Sequence, residues 1–134
     1  MAKKGFMTDI EKDTLSNTDF RRVLYTSKYS QLVLMSLRPG EEIGMEVHDD
    51  VDQFFRFEEG EGQVFIDDTT YQVKDGSAVV VPRGARHNVV NTSKTADLKL
   101  YTIYSPPEHR KDVVHKTKQE AEADSEHFDG KTTE

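Results

Sequence analysis

Two stretches of the sequence contain side-chain types that bind metal ions. In "GMEVHDDVDQFF", Glu46 and His48 alternate with two apolar residues, and Gln53 follows five positions after the histidine. In "GSAVVVPRGARHNVV", a second histidine, His87, comes shortly after a proline and a glycine. Two imidazoles, a carboxylate and an amide oxygen form a suitable donor set for a divalent ion. The sequence therefore predicts a metal site made of Glu46, His48, Gln53 and His87, with zinc, manganese, iron, nickel and cobalt not distinguished.

These four residues can meet only if each lies on the inner face of a strand. Side chains alternate between the two faces of a strand, so Glu46 and His48 share one face. Gln53 shares its face with two phenylalanines of the following "FFRF", and His87 shares its face with a valine and an asparagine. An ionised carboxylate on an inner face is costly unless it is paired or bound to a cation.

The same residues can also have a purely structural role, without a metal ion. Glu46 can pair with an arginine such as Arg22 or Arg38, and a buried histidine can be hydrogen-bonded in the core without any metal. We interpret "FFRF" as core packing, and the arginines at 83 and 86 as a solvated loop.

The strands that must position these groups run from about residue 20 to 104. Nine segments in this range are rich in β-branched and aromatic residues: "FRRVLYT", "QLVLMSL", "MEVH", "QFFRF", "GQVFID", "TYQVK", "SAVVVP", "HNVV" and "LKLYTIY". Short strands separated by turn-forming residues predict a β-sandwich or a small barrel rather than alternating β/α units.

The two ends of the chain differ from this middle part. We expect three parts: an N-terminal segment (1–19), a β-barrel (20–107) and a charged C-terminal tail (108–134). The stretch "KTKQEAEADSEHF" has a helix-favouring composition but hardly an apolar face, which predicts a short helix or a mobile tail on the barrel. His115 and His127 are expected to be solvated.

Composition narrows the function classes. The 134 residues carry 18 Lys and Arg against 25 Asp and Glu, a formal charge of −7, which disfavours nucleic-acid and anionic-membrane partners. The chain has no cysteine, so thiolate chemistry is excluded. Neither a membrane-spanning apolar run nor a secretory signal is evident, and a cytoplasmic location is expected.

The two stretches resemble the motifs of the cupin family, G-x5-H-x-H-x4-E-x6-G and G-x5-P-x-G-x2-H-x3-N. All five positions of the second motif are present, as Gly76, Pro82, Gly84, His87 and Asn91. The resemblance implies an all-β fold, a double-stranded β-helix or jelly-roll barrel, with the charged C-terminal tail or short helix outside it.

The first motif keeps its spacing but departs at two ligand positions. Gly40, His48 and Gly60 are in place, whereas Glu46 stands at the first histidine and Gln53 at the glutamate. The predicted ligands are one Gln, two His and one Glu. This set is similar to the metal ligands of the phosphomannose isomerase cupins, with the positions of Glu and Gln exchanged. An amide in place of a carboxylate is expected to weaken metal binding.

Three functions remain open. The first is a metal-dependent sugar or sugar-phosphate isomerase, for which Glu46, Tyr25 and Tyr101 are candidate bases and no catalytic residue is assigned. The second is a non-catalytic module that binds a small molecule in the barrel, and the third is a non-haem iron dioxygenase. Because the outward residues of "QLVLMSL" and "FRRVLYT" would expose apolar area, a homodimer is also expected.

Overall fold

The computed structural model describes residues 2–134 as two antiparallel sheets with two short helices. The helices are α1 (Ile10–Ser16) and α2 (Lys118–Ala123). The first five strands are β1 (Arg21–Thr26), β2 (Gln31–Leu37), β3 (Glu46–Val47), β4 (Asp52–Glu59) and β5 (Glu61–Ile66). The other five are β6 (Thr69–Lys74), β7 (Ala78–Val81), β8 (Arg86–Asn91), β9 (Leu98–Ser105) and β10 (Val114–His115). Neither described helix has the length and apolar character that a membrane span requires.

The nine segments predicted as strands correspond to β1–β9. One sheet has the order β10-β1-β2-β9-β4-β7 and the other the order β3-β8-β5-β6. Two facing antiparallel sheets with this strand order form the jelly-roll barrel that the sequence predicted. The hairpin between β5 and β6 turns at Asp67 and Asp68, and Asp67 adopts a positive φ of 46°.

The core lies between the two sheets and is built from the inner positions of each strand. Phe55 and Phe57 on β4 are 1% and 0% exposed, as expected from their alternation with Phe54 and Arg56. Val89 on β8 packs in the same cluster. Burial of each such side chain stabilises the fold by about 1.5–3 kcal/mol. The same alternation places Gln53 and His87 on inner faces.

Helix α1 covers part of the outer surface of the larger sheet. Asp9 caps its first turn by accepting a hydrogen bond from the backbone N–H of Lys12, and the helix packs against β2, β4 and β9. Leu34, an outward residue of β2, is only 2% exposed within the single chain. One outward residue of the segments that motivated the expectation of a homodimer is therefore covered by the chain itself, while Leu24 and Leu32 are only partly buried. The homodimer stays a prediction.

The C-terminal segment is more closely attached to the barrel than its composition suggested. Its strand β10 pairs with β1, with His115 opposite Arg21. The expectation that His115 is solvated is wrong: it is 4% exposed and contacts both Arg21 and Asp124. The side chain of His127 is 79% exposed, as expected. A short helix, α2, is present within the tail.

Candidate metal centre

Three of the four predicted ligands are brought together by one edge of the smaller sheet. Glu46 on β3 lies directly opposite His87 on β8 in the antiparallel register. His48 follows β3 and points to the same side as Glu46, while the intervening Val47 is exposed. Gln53 reaches the interior from β4 in the facing sheet and is 2% exposed.

The distances within this group suit a common cation. One donor atom from each of Glu46, His48 and His87 lies within 4.8 Å of the other two. Glu46 Oε2 is 3.1 Å from His48 Nε2, and the two imidazole rings have centroids 5.2 Å apart. Donor atoms that all bind one ion at about 2.0–2.2 Å have separations in this range.

The ring nitrogens of His48 and His87 that lack hydrogen bonds also support a metal site here. His87 Nδ1 lies 3.1 Å from the carbonyl oxygen of Ala85, so this nitrogen carries the proton and donates it. His87 Nε2 is then a lone-pair donor, and it is buried without a hydrogen-bond partner. His48 Nε2 also lacks a hydrogen-bond partner, although Glu46 Oε2 lies 3.1 Å from it. Buried ring nitrogens without a hydrogen-bond partner are suited to bind a metal ion.

Gln53 presents a free oxygen on the facing sheet. Its Nε2 donates to Thr102 Oγ1 at 3.0 Å, which fixes the orientation of the amide. Its Oε1 is buried and has no hydrogen-bond partner. The amide therefore offers the atom that a fourth ligand would use.

The electrostatics favour the metal-binding form of two of the three ionisable groups, Glu46 and His87. Burial alone would raise the pKa of Glu46, but the contact with His48 and the positive charges of His48 and Arg21 lower it overall. Burial lowers the pKa of His87, which keeps this ring neutral. Burial would also lower the pKa of His48, but the contact and charge of Glu46 raise it instead. The contact with Glu46 thus favours the protonated form of His48, and a metal ion would compete with a proton for this ring.

A cavity of about 380 Å³ opens over Glu46 and His48 and is roofed by the C-terminal segment, whereas Gln53 and His87 lie outside its lining. Its lining includes Glu46 and His48 from the barrel and Glu122 and Glu126 from the segment. Glu108 also lines it, with Oε2 3.6 Å from His48 Nδ1. Burial raises the pKa of Glu108, and the charge of His48 offsets this only in part. The volume is sufficient for a small organic ligand.

A chain of polar contacts runs from this roof to the barrel interior. Glu126 Oε2 is 2.6 Å from His109 Nδ1, and His109 Nε2 is 3.3 Å from the Tyr104 hydroxyl. Tyr104 is 2% exposed, and burial raises its pKa. Its ring packs edge-on against His48 at a centroid distance of 6.0 Å. These contacts tie the C-terminal segment to the metal ligands.

Several residues considered from sequence lie elsewhere. Arg22 pairs with Asp19 rather than with Glu46, and Arg38 does not line the cavity. Neither of the tyrosines considered as bases lines it: Tyr25 contacts Glu134 at the chain ends, and Tyr101 lies beside Phe54. The arginines that lie near the two motifs in sequence, at 56, 83 and 86, are also absent from the lining.

Sequence reasoning missed the residues that complete the cavity. Alternation along β1 places Arg21 on the face of the buried Val23, so a signal was present for that residue. No local pattern indicates that Glu108, His109 and Glu126 reach the same cavity, because they arrive through folding of the C-terminal segment onto the barrel.

Comparisons with known proteins agree with the fold and its motifs. Residues 33–104 match the family model of the cupin domain. The chain is 48% identical over 126 residues to the uncharacterized protein YrkC of Bacillus subtilis, covering 90% of this chain and 67% of that protein. It is 42% identical to BH2720 from Bacillus halodurans, whose crystal structure superposes with a TM-score of 0.88 over 90% of this chain and 96% of that one.

A more distant solved structure supports the fold alone. A predicted oxalate decarboxylase from Thermotoga maritima is 23% identical, with a TM-score of 0.56 over 59% of this chain and 68% of that one. At that identity the likeness carries no information about activity.

Proposed function

The chain belongs to the cupin family, and on this premise we propose that it binds a divalent metal ion through Glu46, His48, Gln53 and His87 and uses the ion to hold a small ligand. The observation that carries the proposal is the convergence of three ligand atoms within 4.8 Å. The buried and unpartnered nitrogens of His48 and His87 support it, as does the unpartnered oxygen of Gln53.

We further propose an isomerase-type activity on a sugar or sugar derivative, in line with the ligand inventory of the site. A bound dication would supply Lewis-acid polarisation of a ligand carbonyl. The chain must then supply a group that moves a proton between adjacent carbons. Glu108 is our candidate for this role, because its carboxylate lines the cavity, lies 3.6 Å from His48 Nδ1 and is not one of the four proposed ligands.

One observation favours a second candidate. Two histidines and one carboxylate around a shared point form the arrangement that non-haem iron uses to activate O₂. Glu46, His48 and His87 have this composition. A non-haem iron dioxygenase is therefore the alternative, and a binding module without turnover is the third outcome to be tested. The cytoplasmic location also stays a prediction.

Metal content tests the first part of the proposal. We expect wild-type protein purified without chelator, or dialysed against zinc or manganese, to hold about one ion per chain. His87→Ala removes a ligand nitrogen and should lose the ion. His127→Ala is the matched control, because its exposed ring lies at the outer end of the same cavity. A wild-type protein that retains no ion, or a His87→Ala variant that retains it fully, would refute the metal site.

Hydrogen exchange and oxygen uptake then separate the activities. An isomerase incubated in D₂O with an aldose or its phosphate should introduce deuterium at carbon 2, and Glu108→Gln should abolish this exchange while metal content stays unchanged. Oxygen consumption by the iron-loaded protein without such exchange would favour the dioxygenase. Ligand-dependent thermal stabilisation with neither reaction would indicate a binding module.

A further inference from the structure

Arg21 is a buried arginine in the cavity that Glu46 and His48 line. It is the first residue of β1 and lies on the inner face with Val23, whereas the neighbouring Arg22 faces solvent. Arg21 is 7% exposed and lines the cavity together with Glu46 and His48. A guanidinium keeps its charge in proteins, so a buried arginine needs an anionic partner.

That anionic partner is missing from the described residues. No carboxylate within residues 2–134 forms an ion pair with Arg21 at 4.0 Å or less. Its Nη1 contacts His115 Nδ1 at 3.2 Å, and its Nε is buried without a hydrogen-bond partner. The guanidinium thus borders the cavity without a carboxylate partner among the described residues.

The C-terminal segment fixes the position of this guanidinium. His115 Nε2 lies 3.0 Å from Asp124 Oδ2, so that nitrogen donates to the carboxylate and Nδ1 is left to accept from Arg21. The Arg21 Cζ atom also sits 5.4 Å from the centroid of the Phe20 ring. An arginine held on two sides is preorganised to bind a planar anion.

The other charges in the lining already have partners. Its five carboxylates are Glu46, Glu108, Glu122, Asp124 and Glu126. Each contacts a lysine, an arginine or a histidine. Five carboxylates, the two cations Arg21 and Lys118, and histidines counted as neutral give the lining a formal charge of −3. A bound dication changes this charge to −1. This remaining negative charge disfavours a doubly charged phosphate more than a single carboxylate.

We infer that Arg21 binds the carboxylate of a small monocarboxylic acid whose adjacent hydroxyl or carbonyl oxygen occupies an open position on the metal. The inference rests on the proposed metal site and replaces a neutral sugar or sugar phosphate as its ligand with a sugar acid or another small hydroxy or oxo acid. Arg21 and the metal would be the two ends of one binding site, since Arg21 borders the same cavity as the proposed ligands Glu46 and His48.

Calorimetric titration of the manganese-loaded full chain tests this inference. The probes are lactate, the uncharged analogue propane-1,2-diol, and inorganic phosphate. Lactate should bind at least about tenfold more tightly than the diol, because only lactate makes a charge-assisted contact with Arg21. Arg21→Gln should remove this advantage while manganese content and diol affinity stay unchanged. Arg21→Lys should keep part of it and guards against a fold defect in the glutamine variant.

The neighbouring arginine provides the matched control. Arg22→Gln removes an exposed guanidinium that pairs with Asp19, and it should leave lactate affinity unchanged. The inference is overturned if metal-loaded wild-type protein does not bind lactate, binds the diol equally well, or binds phosphate more tightly. Unchanged lactate affinity in Arg21→Gln would overturn it as well, and none of these results affects the metal site. A wild-type chain that binds no manganese would overturn both the metal site and this inference.

Discussion

Asn91, the last residue of the second cupin motif, should prove to be a structural residue. Its side-chain amide is 1% exposed and donates to three backbone carbonyls: Leu37 at 3.1 Å, Arg38 at 3.0 Å and Ala96 at 2.9 Å. Its Oδ1 accepts from the backbone N–H of Ser93 at 3.0 Å. The single side chain thereby joins the end of β2 to the loop between β8 and β9.

The cost of Asn91→Ala follows from these contacts. Each buried polar group left without a partner costs about 1–3 kcal/mol. The contact with Leu37 is fully buried, and those with Arg38 and Ala96 are partly buried, so water can replace part of the loss at the latter two. We therefore expect Asn91→Ala to lower the free energy of unfolding by about 3–5 kcal/mol. This is a large part of the stability of a typical domain.

A second asparagine on the same strand is the control. Asn88 is 7% exposed and makes one side-chain hydrogen bond, accepting from the backbone N–H of Gly44 at 2.9 Å. Asn88→Ala should cost only about 1 kcal/mol. Urea unfolding of chelator-treated protein, followed by far-UV circular dichroism because the chain has no tryptophan, measures both variants. Equal losses in the two variants, or a loss below about 1 kcal/mol for Asn91→Ala, would refute the reasoning.

Three further predictions concern packing, metal affinity and pH. In Gly62→Ala the added Cβ would lie 2.4 Å from the carbonyl oxygen of Val90, so this variant should lose about 2 kcal/mol or more in urea unfolding. Gln53→Glu replaces a neutral oxygen with a charged one and should tighten manganese binding by about tenfold in a chelator competition; equal or weaker binding would argue against Gln53 as a ligand. Burial lowers the pKa of His109 despite its contact with Glu126. The folded protein therefore favours the neutral ring. The stability that this preference contributes is present above the unfolded pKa of about 6.5 and is lost as the pH falls through the folded pKa. His109→Gln should therefore show a smaller fall in melting temperature than wild type as metal-free protein is taken from about pH 7.5 to 5.5, and an equal fall would contradict this assignment.

The barrel could be predicted from sequence because its pattern is local. Alternation in "QFFRF" places Gln53 on the inner face, and the same rule places His87 inward on β8; both side chains are buried. Glu46 lies opposite His87 on β8, in agreement with the convergence that the two motifs predicted. Burial periodicity and turn residues act over a few positions, so they can be recognised without knowledge of the fold.

The roof of the cavity could not be predicted in the same way. His115 lies in a charged, weakly apolar segment, which favoured a solvated position, yet pairing with β1 buries it against Arg21. Its contact with Arg21 joins residues 94 positions apart, and the contact of Glu108 with His48 is also non-local. Such contacts depend on where the tail docks, which composition does not encode. Arg21 itself was missed although its alternation with Val23 indicated an inward side chain.

Anomalous diffraction from crystals grown with manganese or zinc tests the central claim most directly. We predict one strong peak inside the barrel, about 2.0–2.3 Å from a donor atom of each of Glu46, His48, Gln53 and His87. A crystal without a peak at this position, or with its peak only among the carboxylates of the C-terminal segment, would contradict the account.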